Sequence, residues 1–423
     1  MSQAVENYSI QLDDEDSLHA FRSEFRIPRH ENSECIYFCG NSLGLQPRKA
    51  RDFVNQELDD WAKYGVEGHL KQDYPWYSYH EFLSEPMAEL VGAKPHEVVI
   101  MNTLTVNLHL MMVSFYRPTK ARHKILIEYS AFPSDRYAVE SQIRFHGYNP
   151  EDSIVILTPE PGSNYISAEI IKDTFEKQGD QIALVLIGSV NYYTGQAYPI
   201  PLLCQQARQY GCKIGFDLAH GAGNLNFQLH NDGPDFAVWC SYKYLNAGPG
   251  GLAGCFIHER HAENFELPRF AGWWGHDKKE RFKMESKLKL MSGAEGWQVS
   301  NPPIFPMASL RASLDVFHRA GILNLRKKSI ALSGYLMHLI QSLEHPDITI
   351  LTPEHAEERG CQISIQIKNG DKSIYHKISK KNIIADWREP DVIRVAPVPL
   401  YNSFQEVFQF YEAFKNVVVN HEE

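Results

Sequence analysis

The chain has 423 residues, a net charge of −10 and a composition that is 43% hydrophobic and 22% charged. That balance suits a folded protein with a large core; it argues against long disorder and against an electrostatic grip on nucleic acid or anionic membrane. No apolar run approaches the roughly eighteen residues of a membrane-spanning helix, and the N-terminus lacks the basic start and apolar core of a secretory signal, so the expected location is cytoplasmic.

The acidic stretch DDEDS at 13–17 reads as a solvated cap. Between 98 and 258, seven short apolar runs follow one another: VVIM, KILIEY, SIVIL, ALVLIGSV, KIGFDLA, FAVWCS and LAGCFIH. Apolar at nearly every position, they predict strands buried on both faces, as in a parallel sheet. Helical patterns such as TVNLHLMMVSFY, SDRYAVESQIRFHG and PLLCQQARQYG lie between several of them, which is the α/β signature. A Gly-Pro loop separates the last two runs, so one of that pair is expected to run antiparallel.

Residues 260–305 are irregular and aromatic and end at Pro302-Pro303. Beyond them a long helix (about 326–343), ITILTP, CQISIQI, a short helix, VIRVAP and a final helix predict a compact α+β unit. The expected organisation is an N-terminal segment (1–45) packing on a small C-terminal domain (306–423), with a large domain at 46–305. Seven dispersed cysteines without a CxxC pair suggest buried, reduced thiols, and nineteen histidines without HExxH suggest no metal.

Candidate chemistry starts at Asp217, which ends the run KIGFD, with His220 three residues on. A carboxylate at a strand's C-terminal end lies where α/β sheets bind ligands, although alone it is equally a turn cap. Lys243 follows FAVWCS; alone it reads as a strand-end lysine pointing into water. Together the two are what pyridoxal phosphate requires: a carboxylate to keep the pyridine nitrogen protonated and an amine to carry the aldehyde as a Schiff base. Thr103 and Thr105 in MNTLTVNLHL, and Ser134 and Asp135 in SAFPSD, open helices whose N-termini suit a phosphate, and Phe132 offers a ring to stack.

The motifs GNSLGLQP, LTVNLHL, AFPSD, NYYTGQ, GFDLAHGAGN, WCSYKYLNAGPGG, GWWGH, SNPP and RVAPVPLYNS occur in this order. With them the sequence resembles the kynureninase family, fold type I pyridoxal-phosphate enzymes akin to class V aminotransferases. The resemblance implies a large domain with a mostly parallel seven-stranded sheet and a smaller C-terminal domain. It implies that Leu104 and Thr105 hold the phosphate and that Phe132 stacks on the ring within the segment Phe132, Pro133, Ser134, Asp135. Asp217 would pair with the pyridine nitrogen beside His220, Lys243 would form the Schiff base, and Tyr242 would contact the phosphate and relay a proton. Trp273 and Asn301 would close the site from the partner subunit of a homodimer. Some family members carry serine where this chain has Gly188, so a hydroxyl contact there is in question. Arg394 would bind the substrate's α-carboxylate, and His69, Ser42 and Asn301 its aromatic end.

The implied reaction is hydrolytic Cβ–Cγ cleavage of kynurenine or, preferentially, 3-hydroxykynurenine to an anthranilate and alanine, within tryptophan catabolism and NAD biosynthesis. A cysteine desulfurase or β-decarboxylase, a fold relative without catalysis, and a nicotinamide-binding domain are the competing readings. The last lacks a GxGxxG after its first strands.

Overall fold

The computed structural model describes residues 2–420. Its central sheet contains β1 (Val98–Met101), β2 (Lys124–Glu128), β3 (Ile154–Leu157), β4 (Ile182–Gly188), β5 (Lys213–Asp217), β6 (Phe236–Cys240) and β7 (Ala253–Ile257). The spatial order is β1-β7-β6-β5-β4-β2-β3. β7, which returns through the Gly-Pro loop, is antiparallel to both of its neighbours; the other strands run parallel. A short loop reverses the chain direction, whereas a parallel crossover needs an intervening element.

Successive strand residues enter opposite cores. Val185, Ile187, Ile214 and Phe216 pack on one side, and Leu184, Leu186, Phe236 and Val238 on the other. Two buried faces explain why these runs lack polar alternation. Helices α1 (Ser2–Asp14), α2 (Ala50–Tyr64), α3 (Leu104–Phe115), α4 (Pro133–Phe145), α5 (Ile304–Ala320), α6 (Ile322–Gln341) and α7 (Phe404–Val418) are the ones that matter below. Met111 and Met112 of α3 and Val139 and Ile143 of α4 fill the core on one face of the sheet; Met307, Leu310, Leu314 and Phe317 of α5 fill the core on the other.

A second, antiparallel sheet has the order β8-β9-β11-β10, with β8 Ile348–Ile350, β9 Ile363–Ile367, β10 Asp386–Arg388 and β11 Val392–Val395. Its core includes Leu332 and Leu336 of α6, Phe410 and Phe414 of α7, and Ile36 and Phe38 from the N-terminal segment. That segment also joins by backbone: Ile36–Tyr37 pairs in parallel with Ile383–Ile384, and the Ala396 N–H donates to the Phe38 carbonyl at 3.0 Å.

In the acidic stretch at 13–17, Asp14, Glu15 and Ser17 are exposed as expected, but Asp13 and Asp16 are not solvated. Asp13 is buried and accepts the N–H groups of Phe404 (2.7 Å) and Gln405 (3.0 Å) in the first turn of α7. Asp16 pairs with buried Lys328 at 2.7 Å. The partners lie more than 300 residues away in sequence, so local composition carried no sign of them. Asp13→Ala is expected to lower stability by about 1–2 kcal/mol through loss of a helix cap, read by chemical denaturation.

Candidate active site

The carboxyl ends of β2, β4, β5 and β6 deliver Glu128, Gly188, Asp217 and the loop carrying Lys243 to one place. Asp217 stands opposite Gly188 on one side and Val238 on the other, and its carboxylate accepts the Ala219 N–H at 2.7 Å. Lys243 Nζ lies 3.0 Å from His220 Nε2 and 5.8 Å from the centre of the Phe132 ring. Burial, reinforced by the Lys243 charge, holds the His220 imidazole well below its ordinary pKa. A neutral ring accepts from the lysine at Nε2, which assigns its proton to Nδ1, an atom with no protein partner.

Asp135, from the first turn of α4, hydrogen-bonds Asp217. Burial, then the negative charge of Asp217 and Glu128, pushes Asp135 well above the carboxylate range, so it keeps its proton and donates to Asp217. Burial raises Asp217 as well, opposed by the Lys243 ammonium and by the donors from Ala219 and Asp135. The α3 and α4 N-termini meet beside this pair, with Thr105 Oγ1 3.1 Å from Ser134 Oγ. Leu104 begins α3, and Pro133 occupies the first turn of α4, where its missing N–H costs nothing. The Asp135 N–H donates to the Phe132 carbonyl at 3.0 Å, and the earlier first-turn N–H groups, which an intrahelical ladder leaves free, suit an anion. Thr103 precedes α3 without capping it.

The loop GNSLGLQP lies directly against the lysine loop. The Gly44 N–H donates to the Tyr242 carbonyl at 2.8 Å, and a Cβ on Gly44 would fall 2.2 Å from the Lys243 carbonyl oxygen. Ser42, two residues earlier, is exposed. Tyr242 is half-buried, and desolvation followed by the neighbouring Cys240 raises its phenol, which stays neutral. Arg394, only 1% exposed, comes from β11. Its guanidinium is gripped by the Asp386 carboxylate and donates to the Tyr192 carbonyl at 2.6 Å; its Nε has no protein partner.

Four expected residues do not join this cluster within the protomer. Trp273, 43% exposed, donates to the Arg281 carbonyl at 3.2 Å and packs on Trp274 and Phe282. Asn301 is exposed and lines a cavity of about 410 Å³ with Asn102, Thr103 and Val106. His69 packs edge-on against Trp76 at 5.4 Å. Ser42 reaches the lysine loop only through its neighbours.

Over almost the whole chain, the sequence is similar to curated kynureninases. That of Myxococcus xanthus is 53% identical across 97% of this chain and 96% of its own length, and that of Koribacter versatilis is 52% identical across 97% of both. The chain belongs to the kynureninase family. Members of this family are hydrolases of carbon–carbon bonds in ketonic substances. A sequence model of the kynureninase C-terminal domain matches residues 325–414. Among solved structures the kynureninase fold seen here is shared at low identity with a cysteine desulfurase of Thermococcus onnurineus NA1 (18% identical, TM-score 0.75, covering 91% of this chain and 95% of that one). It is shared likewise with C-DES carrying glycine linked to its pyridoxal-phosphate cofactor (17%, TM-score 0.77, 93% and 98%). The expected α/β architecture of a fold type I enzyme is therefore correct.

Sequence reasoning passed over Glu128 and Gly44. Glu128 ends an apolar strand as Asp217 does, and that shared position was the available signal. Gly44 had no local signal, because its requirement comes from a distant backbone. Gly44→Ala is expected to displace the lysine loop, lowering stability by about 1–3 kcal/mol and weakening any ligand held by Lys243; thermal melts and ligand titration check both.

Proposed function

We propose that this chain is a pyridoxal-phosphate-dependent kynureninase, in which water adds to the side-chain carbonyl of kynurenine-type substrates and the Cβ–Cγ bond breaks to give an anthranilate and alanine. The convergence of Lys243, His220 and the Asp217–Asp135 pair beside two helix N-termini carries this reading. The residues fit the cofactor: His220 Nδ1 and Asp135 Oδ1, on residues that face the lysine, are buried polar atoms without a partner among the described residues. Leu104 and Thr105, with Ser134, would take the phosphate, Phe132 the ring face, Asp217 the ring nitrogen and Lys243 the aldehyde carbon. When bound, pyridoxal phosphate supplies an electron sink for charge developing at the substrate's Cα.

The chain's own groups do the rest. Arg394, oriented by Asp386 and Tyr192, offers its planar donors to the α-carboxylate. Lys243, as the uncharged amine held by a hydrogen bond to neutral His220, takes the proton from Cα. Asp217 holds the ring-nitrogen proton, and Asp135, itself protonated, keeps that carboxylate in place. The neutral phenol of Tyr242 is the donor that returns a proton as alanine forms.

The reading includes a homodimer in which Trp273 and Asn301 act across the interface. The exposure of Trp273 and Asn301, and of Trp61, Val66, Leu70 and Phe305, supports it. A preference for 3-hydroxykynurenine, through His69, Ser42 and Asn301, belongs to the same reading. A desulfurase is disfavoured on chemistry: every cysteine is buried, and burial pushes the thiols of Cys39, Cys204 and Cys361 up to about 12.

Purified protein supplied with pyridoxal phosphate is expected to release alanine from kynurenine and 3-hydroxykynurenine, faster from the latter; absence of product from both overturns the assignment. Lys243→Ala should lose both turnover and the cofactor's long-wavelength absorbance. Arg394→Lys keeps the charge but loses the fork, and is expected to raise KM about 10- to 100-fold with a smaller change in kcat.

A further inference from the structure

Glu128 is a buried ionisable group beside the candidate site that the mechanism above leaves unused. It is the last residue of β2, 5% exposed, and its Oε2 accepts the Gly188 N–H at 3.2 Å. Its Oε1 lies 2.9 Å from where a Cβ on Gly188 would stand. Gly188 ends β4, between β2 and β5, with Asp217 directly opposite it. The carboxyl of Glu128 thus occupies, from the neighbouring strand, the space that a serine side chain at 188 would fill.

We propose that Glu128 is a positioning residue for the Asp217–Asp135 carboxyl pair, acting on it through the gap that glycine leaves at 188. The inference rests on the reading of Asp217 as the partner of the cofactor's ring nitrogen. The groups facing Glu128 are Asp217 from β5, Asp135 from α4 and the Tyr198 hydroxyl, with Lys243 beyond Asp135 and Asp217. Burial, with the Asp217 charge adding to it, raises Glu128 to about 7 despite the Gly188 N–H. Below that pH the third carboxyl is neutral and only supports the strand. Above it, a second negative charge appears beside Asp217 and strengthens the pair's hold on a ring-nitrogen proton. Serine at 188 would supply a hydroxyl without this charge.

The test is made on the holoenzyme. Cofactor affinity and the long-wavelength absorbance of bound pyridoxal phosphate are measured at pH 6 and pH 8 in wild type and Glu128→Gln. Equal affinities are expected at pH 6, and a loss of about tenfold in the variant at pH 8, the equivalent of one pKa unit. Equal affinities at both pH values, or an equal loss at both, overturn the proposal, the second because a merely structural carboxyl acts at every pH. Gly188→Ser is expected to weaken cofactor binding when Glu128 is present and to be tolerated in Glu128→Ala; additive losses overturn the shared-space argument. If wild type takes up no cofactor, or Lys243→Ala retains the absorbance, the functional reading itself fails, before any comparison at position 128.

Discussion

One half-buried amine meets three buried carboxyls where β2, β4, β5 and β6 end. An interior cannot hold three carboxylates against a single ammonium, so the cluster settles its charge by proton placement. Asp217 faces Lys243 and two donors and is the carboxylate of the set; Asp135 donates to it, and Glu128 is neutral until about pH 7. Burial, with the same ammonium adding to it, holds His220 neutral. The result is a directional chain of donors and acceptors in place of a simple ion pair. Much of the surrounding architecture supports that chain.

The sheet provides the rigidity. With both faces packed, strand ends cannot shift without disturbing two cores, so Glu128, Gly188 and Asp217 keep their relative placement. The loop 191–197 then ties the second sheet to the first. Asn191 Oδ1 accepts the N–H groups of Tyr193 and Thr194, both at 2.9 Å, fixing a turn. From the other side, Ser364 Oγ donates to the Tyr193 carbonyl (2.6 Å) and Thr352 Oγ1 to the Thr194 carbonyl (2.7 Å). Gln362 and Arg394 both donate to the Tyr192 carbonyl, at 3.0 and 2.6 Å. Arg394 is thereby registered against the strand ends that carry Lys243, although the two residues belong to different sheets.

Strand identity in the large sheet was legible because burial on both faces leaves a continuous apolar run, and the antiparallel strand was legible from its Gly-Pro return. Asp217 and Lys243 were legible as strand-end residues of the right types. Asp13 and Asp16 were misread as solvated because their partners, α7 and Lys328, are remote in sequence. Nothing local to Gly188 indicated the Glu128 carboxyl that reaches it from the neighbouring strand. Trp273 makes its contacts with Arg281, Trp274 and Phe282, which no local pattern indicated.

Periodicity, strand-end chemistry and ordered motifs therefore determined the fold class and the residues that hold charge, because those properties are local to short segments. The protonation pattern, the need for glycine at 44, the approach of Glu128 to Gly188, and the anchoring of Arg394 were decided by the tertiary structure. Each depends on distances between segments far apart in the chain, where desolvation and close approach operate and sequence spacing carries no information.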